Sequence, residues 1–331
     1  MRVAVLAGGV GGARFLRGVR EHVTGQGGEV TAIVNTGDDI TLHGLRICPD
    51  LDSVMYGLGG GADRERGWGR AEETWTVKAE LQAYGVGPDW FGLGDRDLAT
   101  HLARAGLLQA GLPLSAVTDR LCRRWRPGVR ILPATDDPVE THVVVTKDDP
   151  GVTEETGTDQ GDGAARARQI HFQEWWVRYR AALPARGFVY QGADSAKPAP
   201  GVTEALTSAD AVLLAPSNPV VSIAPILAIP GIREALRAAA GPVVGVSPII
   251  GGAPVRGMAN ACLTAIGVPC TAAGVGSFYG ARRTGGLLDR WLVDAAADAG
   301  AEVAGVAVRP VPLWMTDDQA TAAMVAAALE A

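Results

Sequence analysis

The sequence predicts a doubly wound α/β protein, with a mostly parallel, Rossmann-like sheet and an inserted, mainly helical subdomain. Three observations predict it. The chain opens as apolar strand, glycine loop, helix and second strand. Later apolar runs alternate with helical patterns, and residues 51–127 lack strand patterning. The expected organisation is one nucleotide-binding domain from 1–50 and 128–331, a helical insertion at 51–127, and a flexible loop at 147–163.

In chain order, RVAVLA (2–7) and EVTAIV (29–34) read as buried strands. Phe15, Leu16, Val19 and Val23 recur at helical spacing between them, completing a βαβ unit. Four helical patterns follow: LDSVMYGL, EETWTVKAELQAY, DLATHLARAGLL and PLSAVTDRLCRRW. A strand is expected at VETHVVVT (139–146), before the Gly-, Thr- and acid-rich 147–163 stretch, which lacks apolar periodicity. HFQEWWVRY (171–179) is read as a helix presenting Phe172, Trp175, Trp176 and Tyr179 on one face, more in keeping with core than with a cofactor platform. Strands at ADAVLLAP (209–216), GPVVGVSPII (241–250) and near 301–309, then a helix from about 318, close the chain.

Composition narrows the function classes. The 331 residues are 47% hydrophobic and 20% charged, as in a soluble globular protein. A net charge of −6 opposes an electrostatic grip on nucleic acid or anionic membrane. Cys48, Cys122, Cys262 and Cys270 form no Cys-x-x-Cys pair, which suits a reducing cytoplasm without a metal or redox role. No secretory leader pattern and no bilayer-length apolar run is present, so a cytoplasmic location is expected.

The first loop, GGVGGAR, fits neither standard phosphate motif. The dinucleotide frame from Gly9 reaches Gly11 and then Arg14 where glycine belongs, and a P-loop would need a lysine that is missing here. Its glycines still permit close backbone approach, and the following helix aims its positive end there. Gly9, Gly11 and Gly12 are therefore candidate phosphate binders, although a packing turn would use the same residues. The second strand runs into NTGDD, and a second acidic turn, CPDLD, begins a helix. Asp50 or Asp52 alone suits helix capping. As a set, Asp38, Asp39 and Asp50 suit hard-ion chemistry, with Mg²⁺ held between protein and diphosphate. LAPSNP and VSPIIGG place Ser217, Asn218 and Ser247 beyond two strands, at the sheet edge where ligands bind. Trp90 and Phe91 offer a flat apolar wall with Asp95 and Arg96 at its rim, or a subdomain core. His171 reads as structural, and His43 and His101 have no assignable partner in the sequence.

Together GGVGGARFL, NTGDD, ICPDLD, GLGDRDLATHL, HFQEWW, LAPSNPVVSI and VSPIIGG closely resemble the 2-phospho-L-lactate transferase family of coenzyme F420 biosynthesis. The resemblance runs from residue 8 to 252. It implies transfer of a phospho-three-carbon-acid group from a guanosine diphosphate-linked donor to the ribityl hydroxyl of the deazaflavin Fo. GMP leaves and a phosphodiester forms. FLRGV, RGWG, HFQEWWVRYR and the arginine bias (the only lysines are Lys78, Lys147 and Lys197) resemble the actinobacterial branch, which implies enolpyruvate rather than lactate. The resemblance also implies a homodimer, Mg²⁺ as cofactor, and small molecules rather than nucleic acid or membrane as partners. Gly9, Gly11 and Gly12 would hold phosphates, Ser217, Asn218 and Ser247 the nucleotide, and Trp90, Phe91, Asp95 and Arg96 the Fo ring. Asp50 or Asp39 would serve as base. Two rivals remain: a nucleotide-sugar-binding regulator of the gluconeogenesis-factor type, and an NAD-dependent oxidoreductase. The first is opposed by the continuation ITLHGLRICPD after the acidic turn, the second by Arg14.

Overall fold

The computed structural model describes residues 1–153, 156–159 and 167–330. Its central sheet has seven strands: β1 (Arg2–Ala7), β2 (Glu29–Val34), β3 (Arg130–Pro133), β4 (Ala211–Leu214), β5 (Val243–Val246), β6 (Arg290–Asp294) and β7 (Ala307–Val311). Their spatial order is 7-6-5-4-1-2-3 and every pairing is parallel. Strand order therefore reverses between β1 and β4, paired as Val3 with Ala211 through Leu6 with Leu214. That reversal opens a crevice at the carboxyl ends of the two strands.

Both faces of the sheet are covered, so its strands are apolar throughout rather than alternating. Val3, Val5 and Ala7 of β1 pack with Phe15, Leu16 and Val19 of α1 (Gly9–Thr24) and Val54 and Met55 of α2 (Pro49–Gly59). The carboxyl-terminal helix Asp318–Leu329 adds Met324 and Val325 to that layer. Ala4 and Leu6 face the other way, into a core with Ile170, Trp175, Leu206, Ile226 and Trp291. The helical stretch continues through α3 (Thr76–Ala83), α4 (Asp95–Gln109) and α5 (Leu114–Trp125). Leu93 and Leu98 join Leu42 and Ile47 in a small satellite cluster below it.

Several elements depart from the sequence reading. The expected strand at 139–146 forms as Glu140–Thr146, but in a separate antiparallel four-stranded sheet with Thr158–Asp159, Ala167–His171 and Gly187–Gln191. β3 and β6 carried no usable signal, because each is short and mixes charged residues or proline with apolar ones. The last strand lies later than expected, at Ala307–Val311. Within the 147–163 stretch, Glu154, Glu155 and residues 160–163 lie outside the described residues. HFQEWWVRY is helical from Phe172 to Arg178 rather than from its first residue. A strand ends at His171 and a π-helix spans Glu174–Arg178, so Trp175 is fully buried while Trp176 remains part-exposed. Among the described residues no helix is long and apolar enough to cross a membrane.

Candidate active site

The crevice is built first from the glycine loop. β1 ends at Ala7, Gly8 precedes α1, and Gly9 takes φ +64°, a left-handed conformation that favours glycine. A methyl group at Gly8 would stand 2.5 Å from Asp50 Oδ2 and 2.7 Å from Ser222 Cβ, so only glycine fits between those walls. Ser217, just beyond β4, accepts from the Gly8 N–H (3.3 Å) and donates to the Gly8 carbonyl (2.8 Å), pinning the loop across the strand reversal. Asn218 Oδ1 accepts from the Val220 and Val221 N–H groups, and so caps the π-helix Pro219–Ile223. Gly8, Gly9, Gly11, Ser217 and Asn218 all line one cavity of about 1200 Å³.

Two carboxylates face that cavity together. Asn35 Nδ2 donates to Asp38 Oδ1 (3.1 Å), Asp50 Oδ2 (2.9 Å) and the Val221 carbonyl (3.1 Å), so one amide serves three acceptors. Asp38 and Asp50 are 5% and 4% exposed. Burial raises Asp50 to about 7 against the stabilising bonds from Asn35 and the Gly9 backbone. Burial and the neighbouring Asp50 charge push Asp38 well above the usual carboxylate range. Gln173 Nε2 reaches Asp38 Oδ2 at 3.5 Å, bringing the π-helix segment to the same site.

Asp39 does not join them, which corrects the three-carboxylate metal cluster. Its Oδ2 pairs with Arg46 and accepts from Cys48 Sγ (3.1 Å), and it is not among the cavity-lining residues. Burial still raises it to about 6, with Arg46 opposing. Among the described residues, no group of three or more His, Cys, Asp or Glu is arranged to hold a metal. The donor set that does fit a hard divalent ion is the buried Asp38–Asp50 pair, completed by oxygens of a ligand.

Three further expectations change. Gly12 packs rather than binds: a methyl group there would meet Ser217 Oγ at 2.9 Å and Ala7 Cβ at 3.0 Å, and Gly12 does not line the cavity. Ser247 turns inward, donating to the Ile249 carbonyl at 2.8 Å, and Pro248 lines the cavity in its place. Asp95 accepts from Thr74 Oγ1 and the Thr76 and Val77 N–H groups, tying off the start of α3, while Arg96 pairs with Glu72. Neither Asp95 nor Arg96 lines the cavity, but Trp90 and Phe91 do, joined edge-on with ring centroids 5.8 Å apart.

The sequence reading missed most of the aromatic slot. Trp68 and Trp75 line it with centroids 6.2 Å apart, and Gly92 lies against both. Across the opening, Phe172 and Trp176 stack at 6.4 Å. It also missed a buried polar chain on the wall. Arg104 pairs with Asp52 and donates to His101 Nδ1 (3.0 Å), which leaves His101 Nε2 carrying the proton, 3.3 Å from Asp97 Oδ2. Asp97 Oδ1 accepts from Tyr56 OH at 2.6 Å. Burial opposes ionisation of Asp97, yet the His101 and Tyr56 bonds hold its carboxyl below the usual range. The available signal was His101 one helical turn, four residues, after Asp97, which itself stands two residues past the singled-out Asp95.

Comparison with known proteins identifies the family. The family model described as 2-phospho-L-lactate transferase CofD matches residues 3–324. A protein of Mycolicibacterium smegmatis named phosphoenolpyruvate transferase is 59% identical over 338 residues, covering all of this chain and 98% of the relative. One of Thermobifida fusca with the same name is 61% identical over 336 residues, covering all of this chain and 97% of the relative. A solved structure of a UPF0052-family protein from Bacillus halodurans superposes with TM-score 0.61 at 20% identity, covering 99% of each chain, a likeness of fold. The chain is thus a transferase that belongs to the 2-phospho-L-lactate transferase CofD family.

Proposed function

We propose that this protein transfers a phosphoenolpyruvyl group from a guanosine diphosphate-linked donor to the terminal ribityl hydroxyl of Fo, releasing GMP and forming dehydro coenzyme F420-0. The observation that carries this reading is the continuity of one cavity from the glycine loop and the Asp38–Asp50 pair to the aromatic slot. The names of the relatives above support the enolpyruvyl group. A cavity of this volume accommodates a nucleotide and a tricyclic ring side by side.

The chain's own residues divide the work. The first-turn amides of α1, freed by glycine geometry at Gly9, face the donor phosphates. Ser217 holds that loop in register with β4. Trp68, Trp75, Trp90 and Phe91 sandwich the flat ring of Fo and orient its ribityl chain towards Asp50. As the hydroxyl oxygen bonds to the phosphorus bearing the acid, Asp50 takes its proton, and the bond to the bridging oxygen breaks so that GMP departs. With no metal bound, burial raises this carboxylate to about 7, close to the pH at which it would accept that proton. Asp38 and Asp50 would also hold Mg²⁺, which neutralises diphosphate charge when bound.

Incubating the protein with Fo, Mg²⁺ and both the enolpyruvyl and lactyl donors, then reading the product mass, tests this. The expected product carries enolpyruvate. A product heavier by two hydrogens would assign lactate instead. Unmodified Fo from a folded, donor-binding preparation would refute the transfer.

A further inference from the structure

We propose that Arg14 and Arg256 form a two-guanidinium clamp that receives the carboxylate of the donor's three-carbon acid. This inference rests on the donor reading above. Both side chains line the cavity, Arg14 from α1 and Arg256 from the segment following the hairpin Ile249–Ile250 with Ala253–Pro254. Neither has an ion-pair partner among the described residues, and the hydrogen bond of Arg256 runs from Nη2 to the Gly67 carbonyl at 3.0 Å. Partial desolvation, and then the charge of Arg14, hold the Arg256 guanidinium below its usual range, although both side chains are exposed. At this exposed site solvent screens much of their repulsion, and a bridging anion offsets the rest.

Position selects which anion. Arg256 sits between the two aromatic groups: it meets Gly67 beside Trp68, and its neighbour Gly257 lies against Trp176, where a methyl group would stand 3.8 Å from the ring. Arg14 lies on α1, beyond the loop that faces the phosphates. The clamp therefore spans the passage between glycine loop and aromatic slot, where the group in transit resides. The diphosphate already has the α1 amides. The acid's carboxylate needs cations of its own, and planar guanidinium groups match it in bidentate fashion. This gives Arg14 a purpose at the position where a dinucleotide site would require glycine.

Calorimetric titration of wild type, R14Q, R256Q and R256K with the enolpyruvyl donor, with GDP and with Fo tests the clamp, alongside product formation and melting temperature. Expected are melting temperatures equal to wild type and donor affinity weakened roughly 10- to 100-fold in each glutamine variant. GDP and Fo affinities stay unchanged, and R256K recovers part of the loss. Equal weakening towards donor and GDP would assign the arginines to the diphosphate and overturn the proposal. Equal weakening towards Fo would overturn it too, because Arg256 would then act through its tether to Gly67. Wild type that binds donor yet forms no product would sink the transfer reading, while the donor-against-GDP comparison would still decide the clamp.

Discussion

Replacing Asp50 with asparagine separates its chemical role from its cost to the fold. Asp50 is 4% exposed and raised from an ordinary 3.8 to about 7, first by burial. Between those values the native state keeps a proton that the unfolded chain has released, so stability falls as pH rises. The stabilisation is full below about pH 4 and gone above about pH 7, a swing of roughly 4 kcal/mol at about 1.4 kcal/mol per pH unit. Asp50→Asn removes this dependence, and it also removes the neighbouring charge that helps raise Asp38, an effect of the same sign. The variant should therefore gain stability relative to wild type as pH rises from about 4 to 8. Its turnover should fall roughly 10²- to 10⁴-fold, the usual worth of a general base. Urea midpoints across this pH range, without metal or nucleotide, give the first quantity, and product formation under saturating substrates gives the second. A stability difference that stays flat with pH would refute the buried, proton-holding carboxylate. Full turnover in the variant would refute its part in proton transfer.

Other perturbations probe neighbouring parts of the site. Gly8→Ala drives a methyl group to within 2.5 Å of Asp50 Oδ2, so it should cost about 1–3 kcal/mol of stability and displace that carboxylate, with activity lost and the urea midpoint lowered. Asp52→Ala leaves the fully buried Arg104 without its carboxylate, which should cost about 3–5 kcal/mol by denaturant titration. A cost below about 1 kcal/mol would mean the pair is hydrated in solution. Asp39→Asn breaks the Arg46 pair outside the cavity, so it should reduce turnover far less than Asp50→Asn. Equal losses in the two variants would return Asp39 to the reacting site.

The sequence by itself determined the class of fold and pointed to the strand-end crevice as the candidate site. Buried parallel strands read as apolar runs, and β1, β2, β4 and β5 were legible for that reason. The glycine loop, NTGDD and LAPSNP mark strand ends, and strand ends are where an open parallel sheet binds ligands. Tertiary structure alone decided which of the neighbouring acids faces the cavity. Asp38 and Asp39 are adjacent in the chain, yet Asn35 turns one inward while Arg46 and Cys48 hold the other away. The same holds for Trp175 and Trp176, which a π-helix sends to core and cavity respectively. Arg14 and Arg256 are 242 residues apart in the chain, and only packing brings both to one cavity. Local periodicity reports which face of an element is buried. The contacts that aim a single polar side chain come from partners distant in sequence, and no local pattern encodes them.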